Sequence, residues 1–224
     1  LNKVYLTMNV TQAVLKRSSK RSFIKKPVSD TLIKKLLEIS SRSPSGGNLQ
    51  PWRIFIINNE AMEVFKNYQA NWSEPEFPEY DIYPSPLKEP YRTERYKVGE
   101  QMYEILGIER DNKEGRLQQV LKNFDFFGAP AAMFCFIDRE MGPPQWSDLG
   151  MFLQNFMLLA VEAGLDTCAQ ESWALKHESV SQFCKADKNL MLFCGMSIGY
   201  CDNDSPVNSL QTDRLSLEEW ATFI

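Results

Sequence analysis

Apolar residues recur along the chain in two rhythms, one helical and one continuous. Leu32, Ile33, Leu36 and Leu37 fall at helical spacing behind Ser29, with Asp30 in the first turn, so a helix starts near Ser29 and must end before Pro44. A shorter helix opens at Asn9, where Gln12 stands in capping-box position and Val10, Ala13 and Val14 share one face. It runs into Lys16 and Arg17. Three segments are apolar without a helical period: residues 53–58 (RIFIIN), 130–138 (PAAMFCFID) and 190–200 (LMLFCGMSIGY). These read as buried strands, and the first is followed by a helix carrying Met62 and Phe65. The strongest helical stripe, Phe152, Phe156, Leu159, Ala160 and Ala163, lies in a helix expected over residues 149–164. Met151, Leu153, Met157, Leu158 and Val161 make that helix apolar off the stripe as well. Such a helix packs against the sheet and against something else, for which a subunit interface is a natural candidate. The tail holds a helical LSLEEW.

Between residues 72 and 90 both rhythms stop. Pro75, Pro78, Pro84, Pro86 and Pro90 crowd this stretch, interleaved with Phe77, Tyr80 and Tyr83. Proline fixes φ and lacks a backbone donor, so the segment is neither regular helix nor central strand. It is expected to be a long ordered loop, leading into a polar helix over about residues 93–106. A loop of this kind is either a lid or a wrap over the surface. Alternating strands and helices indicate an α/β or α+β architecture. No GxGxxG follows a strand and no P-loop sequence occurs, so neither a dinucleotide fold nor a nucleotide-phosphate loop is indicated.

Composition narrows the functional classes. With 43% hydrophobic residues, 224 residues suffice for one domain with a full core, or for two intertwined copies of one. A net charge of −4 argues against a nucleic-acid partner. No apolar run reaches the ~20 residues that a bilayer needs, and no export signal is visible at the start, so no membrane association is expected. The five cysteines, Cys135, Cys168, Cys184, Cys194 and Cys201, show no spacing of a zinc knuckle or redox dithiol. Cys135, Cys168 and Cys194 are expected to be buried free thiols, and the compartment cytoplasmic. The single histidine, His177, is expected to be a solvated helix residue. Histidine-based hydrolysis and a metal site are therefore not expected, and a cofactor must carry any difficult chemistry.

Three polar clusters remain. Arg17, Ser18, Ser19, Lys20 and Arg21 combine guanidinium forks with hydroxyls, which suits a phosphate clamp, although a basic run at a helix C-terminus also complements the helix dipole. Residues 44–52 (PSGGNLQPW) place two glycines among polar donors and acceptors, either an ordinary turn before a strand or a backbone that lets a flat ligand approach closely. Residues 165–173 (LDTCAQESW) form a polar loop after the central helix.

Taken in order, these clusters resemble the nitroreductase family of FMN-dependent oxidoreductases. Arg-Ser-Ser-x-Arg resembles its N-terminal phosphate motif, PSGGNLQPW its P-S-x-x-N-x-Q-P-W signature and GLDTCAQESW its loop over the flavin, while Arg214 resembles its late phosphate arginine. Order and spacing agree from about residue 10 to 220. The resemblance implies an α+β fold, with a central, mostly antiparallel sheet wrapped by helices, in an intertwined homodimer with two FMN clefts between subunits. It implies a single FMN-binding domain over residues 1–224, with a lid-like insertion at about 72–115. Arg17, Ser19 and Arg214 would hold the FMN phosphate with Ser18 nearby, and Arg21 would lie beside the flavin N1/O2 edge. Pro44, Ser45, Gly46 and Asn48 would border the ring from the partner subunit. Gln170, Glu171 and Ser172 would cover its opposite face, with a backbone N–H aimed at N5. Asn123 is a candidate for the pyrimidine edge; Tyr91 and Arg95 are candidates for contact with the acceptor. The activity implied is hydride transfer from NADH or NADPH through flavin N5 to a nitroaromatic or quinone, in ping-pong order. A reductive dehalogenase of the same fold and a flavin-binding protein without turnover remain as alternatives.

Overall fold

The computed structural model describes residues 8–224. Its elements run α1 (Val10–Lys16), α2 (Asp30–Ser40), β1 (Arg53–Asn58), α3 (Glu60–Ala70), α4 (Tyr91–Ile105), α5 (Lys113–Leu121), β2 (Ala131–Asp138), α6 (Pro143–Glu162), β3 (Asp166–Gln170), α7 (His177–Cys184), β4 (Leu190–Gly199) and α8 (Leu217–Trp220). The four strands form one antiparallel sheet in the order β1-β2-β4-β3. With helices on both faces this is an α+β fold.

The burial of β2 on both faces explains its unbroken apolar sequence. Ala131, Met133, Cys135 and Ile137 face a core shared with Ile33 and Leu36 of α2 and with Leu149, Phe152, Phe156 and Ala160 of α6. Ala132, Phe134 and Phe136 face the other way, onto Met62 and Phe65 of α3, Val180 of α7 and Trp173. This second core is largely aromatic. Trp173, with no exposure, stacks on Phe126 at 4.6 Å and meets Phe65, Phe124 and Phe134 at centroid distances of 5.2–5.5 Å. Gly195 on β4 makes the space for it, since a Cβ there would stand 2.2 Å from Trp173 Cδ1.

Asn9 caps α1 as expected: its side chain accepts from the Gln12 backbone at 2.9 Å, and the Gln12 side chain accepts in return from the Asn9 backbone at 2.9 Å. Other expectations need correction. The central helix, α6, starts at Pro143 rather than at residue 149, because Gly142 N–H finds Gln145 Oε1 at 3.2 Å and proline is tolerated in the first turn. Residues 166–170, expected as a loop, form the edge strand β3. The buried Gln170 amide is bonded at both ends inside: Gln170 Nε2 donates to Asn123 O at 2.7 Å, and Ser197 Oγ donates to Gln170 Oε1 at 2.8 Å, whereas the buried Thr167 Oγ1 has no partner among the described residues. The helix α5 was not anticipated, because few of its residues are apolar. His177 is not solvated. Its side chain is 16% exposed, and Nδ1 lies 2.8 Å from Glu79 Oε2, a carboxylate that Arg139 also grips with both Nη atoms at 2.6 and 3.2 Å.

That carboxylate helps to fasten the proline-rich segment. Glu76 accepts from Ser179 N–H at the start of α7 at 2.9 Å and pairs with Lys176 at 3.0 Å. Tyr80 O–H donates to the Phe193 carbonyl, and its ring packs with Trp146 and Phe193. Residues 76–80 thus dock onto the body of the fold, and the chain then runs outward to α4.

Candidate functional site

The backbone leaves α1 at Arg17 with φ −59° and ψ 125° and runs along the outer margin of β3. Ser19 forms a parallel bridge with Thr167, and Lys20 N–H donates to Thr167 O at 3.1 Å. Asn208, nearly buried in the turn Pro206–Ser209, locks the same segment from the C-terminal side. Its Oδ1 accepts from Arg21 N–H at 2.7 Å, its Nδ2 donates to Ser22 O at 2.8 Å, and its carbonyl accepts from Lys20 Nζ at 2.9 Å. Residues nearly 190 positions apart are thereby joined. Sequence reasoning missed Asn208, since no local pattern distinguishes it from a turn asparagine.

Arg17, Ser19 and Arg21 come together around Cys168, and Arg214 lies near enough for its charge to act on Arg17. Burial first, and then the positive charge of Arg214, lower the Arg17 pKa from its ordinary value. Cys168 lies beneath: burial raises its thiol pKa, while Arg21, a hydrogen bond with Ser19, and Arg17 pull it back. Arg214 Nη1 donates to Thr212 Oγ1 at 2.6 Å and to Asp213 O at 2.7 Å, neither of which neutralises it. No carboxylate forms an ion pair with Arg17, Arg21 or Arg214 among the described residues. The half-buried Arg17 and the exposed Arg214, neither in an ion pair among the described residues, would both gain from a shared anion.

The turn Glu171–Lys176 follows β3 directly and is anchored by the buried Trp173. Partial desolvation raises the Glu171 carboxyl pKa. Gln170 cannot offer its side chain to a ligand at this surface, because both ends of its amide are bonded inside. Asn123 is engaged likewise, with Nδ2 on Val120 O at 2.8 Å and its own carbonyl on Gln170.

The second cluster lies elsewhere. Gly46 N–H reaches both carboxylate oxygens of the buried Asp148 on α6, at 3.3 and 3.2 Å, and Ser45 Oγ accepts from Gln50 N–H at 3.0 Å. Gly47, Asn48 and Gln50 adopt positive φ, so glycine and asparagine suit this tight turn. Pro44 and Asn48 are exposed. The turn leads into β1, one edge of the sheet, whereas Arg17–Arg21 lies along β3, the other edge. Within one chain the structure keeps these two clusters apart.

The third feature is a cleft of about 420 Å3 between α4 and the Arg21 segment, lined by Arg21, Arg92, Arg95, Tyr96, Tyr103 and Leu210 among others. Arg95, a candidate for contact with the acceptor, lines this cleft together with Arg21. Tyr91 is exposed at the start of α4 and is not among the lining residues. Arg92, Tyr96 and Tyr103 were missed, although the helical spacing of Arg92 and Tyr103 from Arg95 was a readable signal. Gln101 Nε2 ties α4 to Asp213 Oδ2 at 2.9 Å, next to Arg214. Among the described residues there is no group of side chains suited to a metal ion, and no helix is long and apolar enough to cross a membrane.

A sheet of this topology wrapped by helices is the fold of a known family. The Nitroreductase family profile matches residues 14–200, and the chain belongs to that family. It is 36% identical over 212 residues to a nitrobenzene nitroreductase of Ectopseudomonas oleovorans, an alignment covering 93% of each chain. It is 33% identical to a 4-nitrobenzoate reductase of Pseudomonas putida, over 98% of this chain and 97% of that one. Its fold superposes with a TM-score of 0.92 on the crystal structure of the FMN and NADPH-dependent nitroreductase NfnB from sphigopyxis sp. strain HMH, at 40% identity, covering 96% and 99% of the two chains.

Proposed function

We propose that this protein is an FMN-dependent oxidoreductase that uses NADH or NADPH to reduce small conjugated acceptors, nitroaromatic compounds above all. The observation that carries the reading is that Arg17 and Arg214, from opposite ends of the described chain, lie near enough for their charges to act on one another, and that neither forms an ion pair with a carboxylate among the described residues. Such a pair fits the phosphate of FMN. Charge-assisted hydrogen bonds of this kind contribute roughly 1.5–3 kcal/mol each. The relatives support the reading, for their described substrates are nitroarenes and the NfnB structure is FMN and NADPH-dependent.

Arg17, Ser19 and Arg214 hold the phosphate, with Ser18 beside them. Arg21, fixed through its backbone by Asn208, offers a cation to the N1/O2 edge, where it favours negative charge on the ring. The turn at Glu171 and Ser172, kept rigid by Trp173, covers one face of the ring with backbone donors. When bound, FMN supplies hydride acceptance from the nicotinamide and delivery of the electron pair to the acceptor, each molecule using the same open face in turn.

The site is completed by a second copy of the chain. Pro44, Ser45, Gly46 and Asn48 lie at the far edge of the sheet and so reach a ring at Arg21 only from a partner subunit. An intertwined homodimer also accounts for apolar side chains that one chain leaves exposed: Leu15 on α1, Met151 on α6, and Trp220 and Phe223 at the tail. The chain acts as one flavin-binding domain, in which the insertion at about 72–115 supplies the acceptor side of the cleft. Five free cysteines suit a reducing compartment such as the cytoplasm.

Anaerobic mixing of the yellow holoprotein with NADH and with NADPH tests this. The expected result is loss of the flavin colour with at least one nucleotide and its return when a nitroarene is added. Colour that persists with both nucleotides contradicts the reading and favours a binding role without turnover. Colour restored by a halogenated phenol and by no nitroarene favours a reductive dehalogenase.

A further inference from the structure

The cleft beside α4 carries more positive charge than its walls neutralise. Glu100 lines it, but both oxygens of that carboxylate are taken by Arg116, at 2.5 and 3.1 Å. Arg92 is held by Glu89, with Nε 2.7 Å from Oε1. Arg21 and Arg95 have no carboxylate partner among the described residues. Arg95 is not loose, however. Its guanidinium lies 4.3 Å from the centroid of Tyr83, an arrangement that fixes the plane of the fork while leaving its N–H edges free. The remaining walls include Tyr96, Tyr103, Met102 and Leu210, which suit the faces and edges of an aromatic ring.

A planar guanidinium beside an aromatic wall, in a cleft of about 420 Å3 that has room to spare for a substituted ring, points to a ligand with an aromatic ring and a planar anion. We propose that this cleft is an anion subsite that selects nitroaromatic acceptors carrying a carboxylate, with Arg95 as the residue that binds it. The proposal rests on the flavin reductase reading and deepens it by naming the substrate class. Arg21, which lines the same cleft and is proposed to lie at the flavin, sets the direction: the carboxylate lies toward Arg95 on α4 and the nitro group toward the flavin. Docking of residues 76–80 through Glu76, Glu79 and Tyr80 gives Tyr83 a fixed approach to Arg95. An anion could also come from the second reactant, since NADPH differs from NADH by one phosphate. The aromatic and apolar wall of Tyr96, Tyr103, Met102 and Leu210 beside the fork suits a ring rather than a lone phosphate and favours the acceptor.

The test compares 4-nitrobenzoate with 4-nitrobenzamide, which has a similar shape and no charge, and NADPH with NADH, in the wild-type holoprotein and in Arg95→Gln and Arg95→Lys. The wild type is expected to prefer the carboxylate in kcat/KM. In Arg95→Gln the carboxylate-to-amide ratio should fall about tenfold or more, as loss of one charge-assisted bond predicts, mainly through KM. Arg95→Lys, which keeps the charge and loses the fork, should recover part of it. A ratio that does not move in Arg95→Gln overturns the proposal. So does a fall confined to the NADPH-to-NADH ratio, which would assign the subsite to the donor's phosphate. In either case colour still discharged by nucleotide leaves the flavin reading intact, so the two failures are told apart; colour that neither nucleotide discharges in the wild type removes both.

Discussion

Gly195→Ala is expected to destabilise the protein by about 3 kcal/mol or more, the upper end of what overpacking a core produces. The added Cβ would stand 2.2 Å from Trp173 Cδ1 and 2.9 Å from Cγ and Nε1. These are ring atoms of a side chain with no exposure, so the tryptophan cannot swing toward solvent. Phe65, Phe124, Phe126 and Phe134 close the other directions at centroid distances of 4.6–5.5 Å. Against a typical domain stability of ~5–15 kcal/mol, such a loss leaves little in reserve. Trp173 also follows Glu171 and Ser172 immediately, so any relief that shifts the ring displaces the turn proposed to cover the flavin. The urea midpoint should drop sharply and flavin should be retained poorly. A midpoint equal to that of the wild type would mean that the ring does not occupy the space above Gly195.

The second large effect concerns the guanidinium pair. Arg17→Ala and Arg214→Ala should each weaken FMN binding by on the order of ten- to a hundredfold, the equivalent of one or two charge-assisted hydrogen bonds to phosphate. The flavin-free forms should behave in the opposite sense. Because Arg214 lowers the Arg17 pKa, the two cations oppose one another in the empty cluster, and removing either relieves that repulsion. Stability without flavin should therefore hold or rise slightly, while affinity falls. A residue of merely structural importance would lose both together. The flavin-to-protein ratio after dialysis and thermal melts of the stripped proteins read the two quantities separately. Variants that stay yellow with undiminished affinity would show that the phosphate lies elsewhere.

Much of the architecture was legible in residue patterns. Strands β1, β2 and β4 are apolar on both faces, and α1 and α2 begin at Asn9 and Ser29 as their capping and spacing predict. The errors share a cause: tertiary partners overrode local signals. Strand β3 is polar in sequence because Gln170 and Thr167 are paired with or packed against neighbours that no short window contains. His177 looked solvated until a carboxylate almost a hundred residues earlier came to meet it. The Arg17 motif was readable from its residue types, whereas Asn208, which holds that motif in place, was not. Arg95 could be picked out, but the cleft it lines needed the geometry of α4 against Arg21. The cleft beside α4 was thus less readable than the Arg17 motif, since helical spacing names a face without naming what it opposes.

The bridge between Ser19 and Thr167 has a consequence beyond ligand binding. Strand β3 ends the sheet on that side, and an uncovered strand margin is a template on which another chain can pair. The stretch that carries Arg17 and Ser19 lies along it and shields its backbone, so the same few residues serve as a guard against self-association. Conditions that strip the flavin and let this stretch lift away would convert a loss of colour into a loss of solubility.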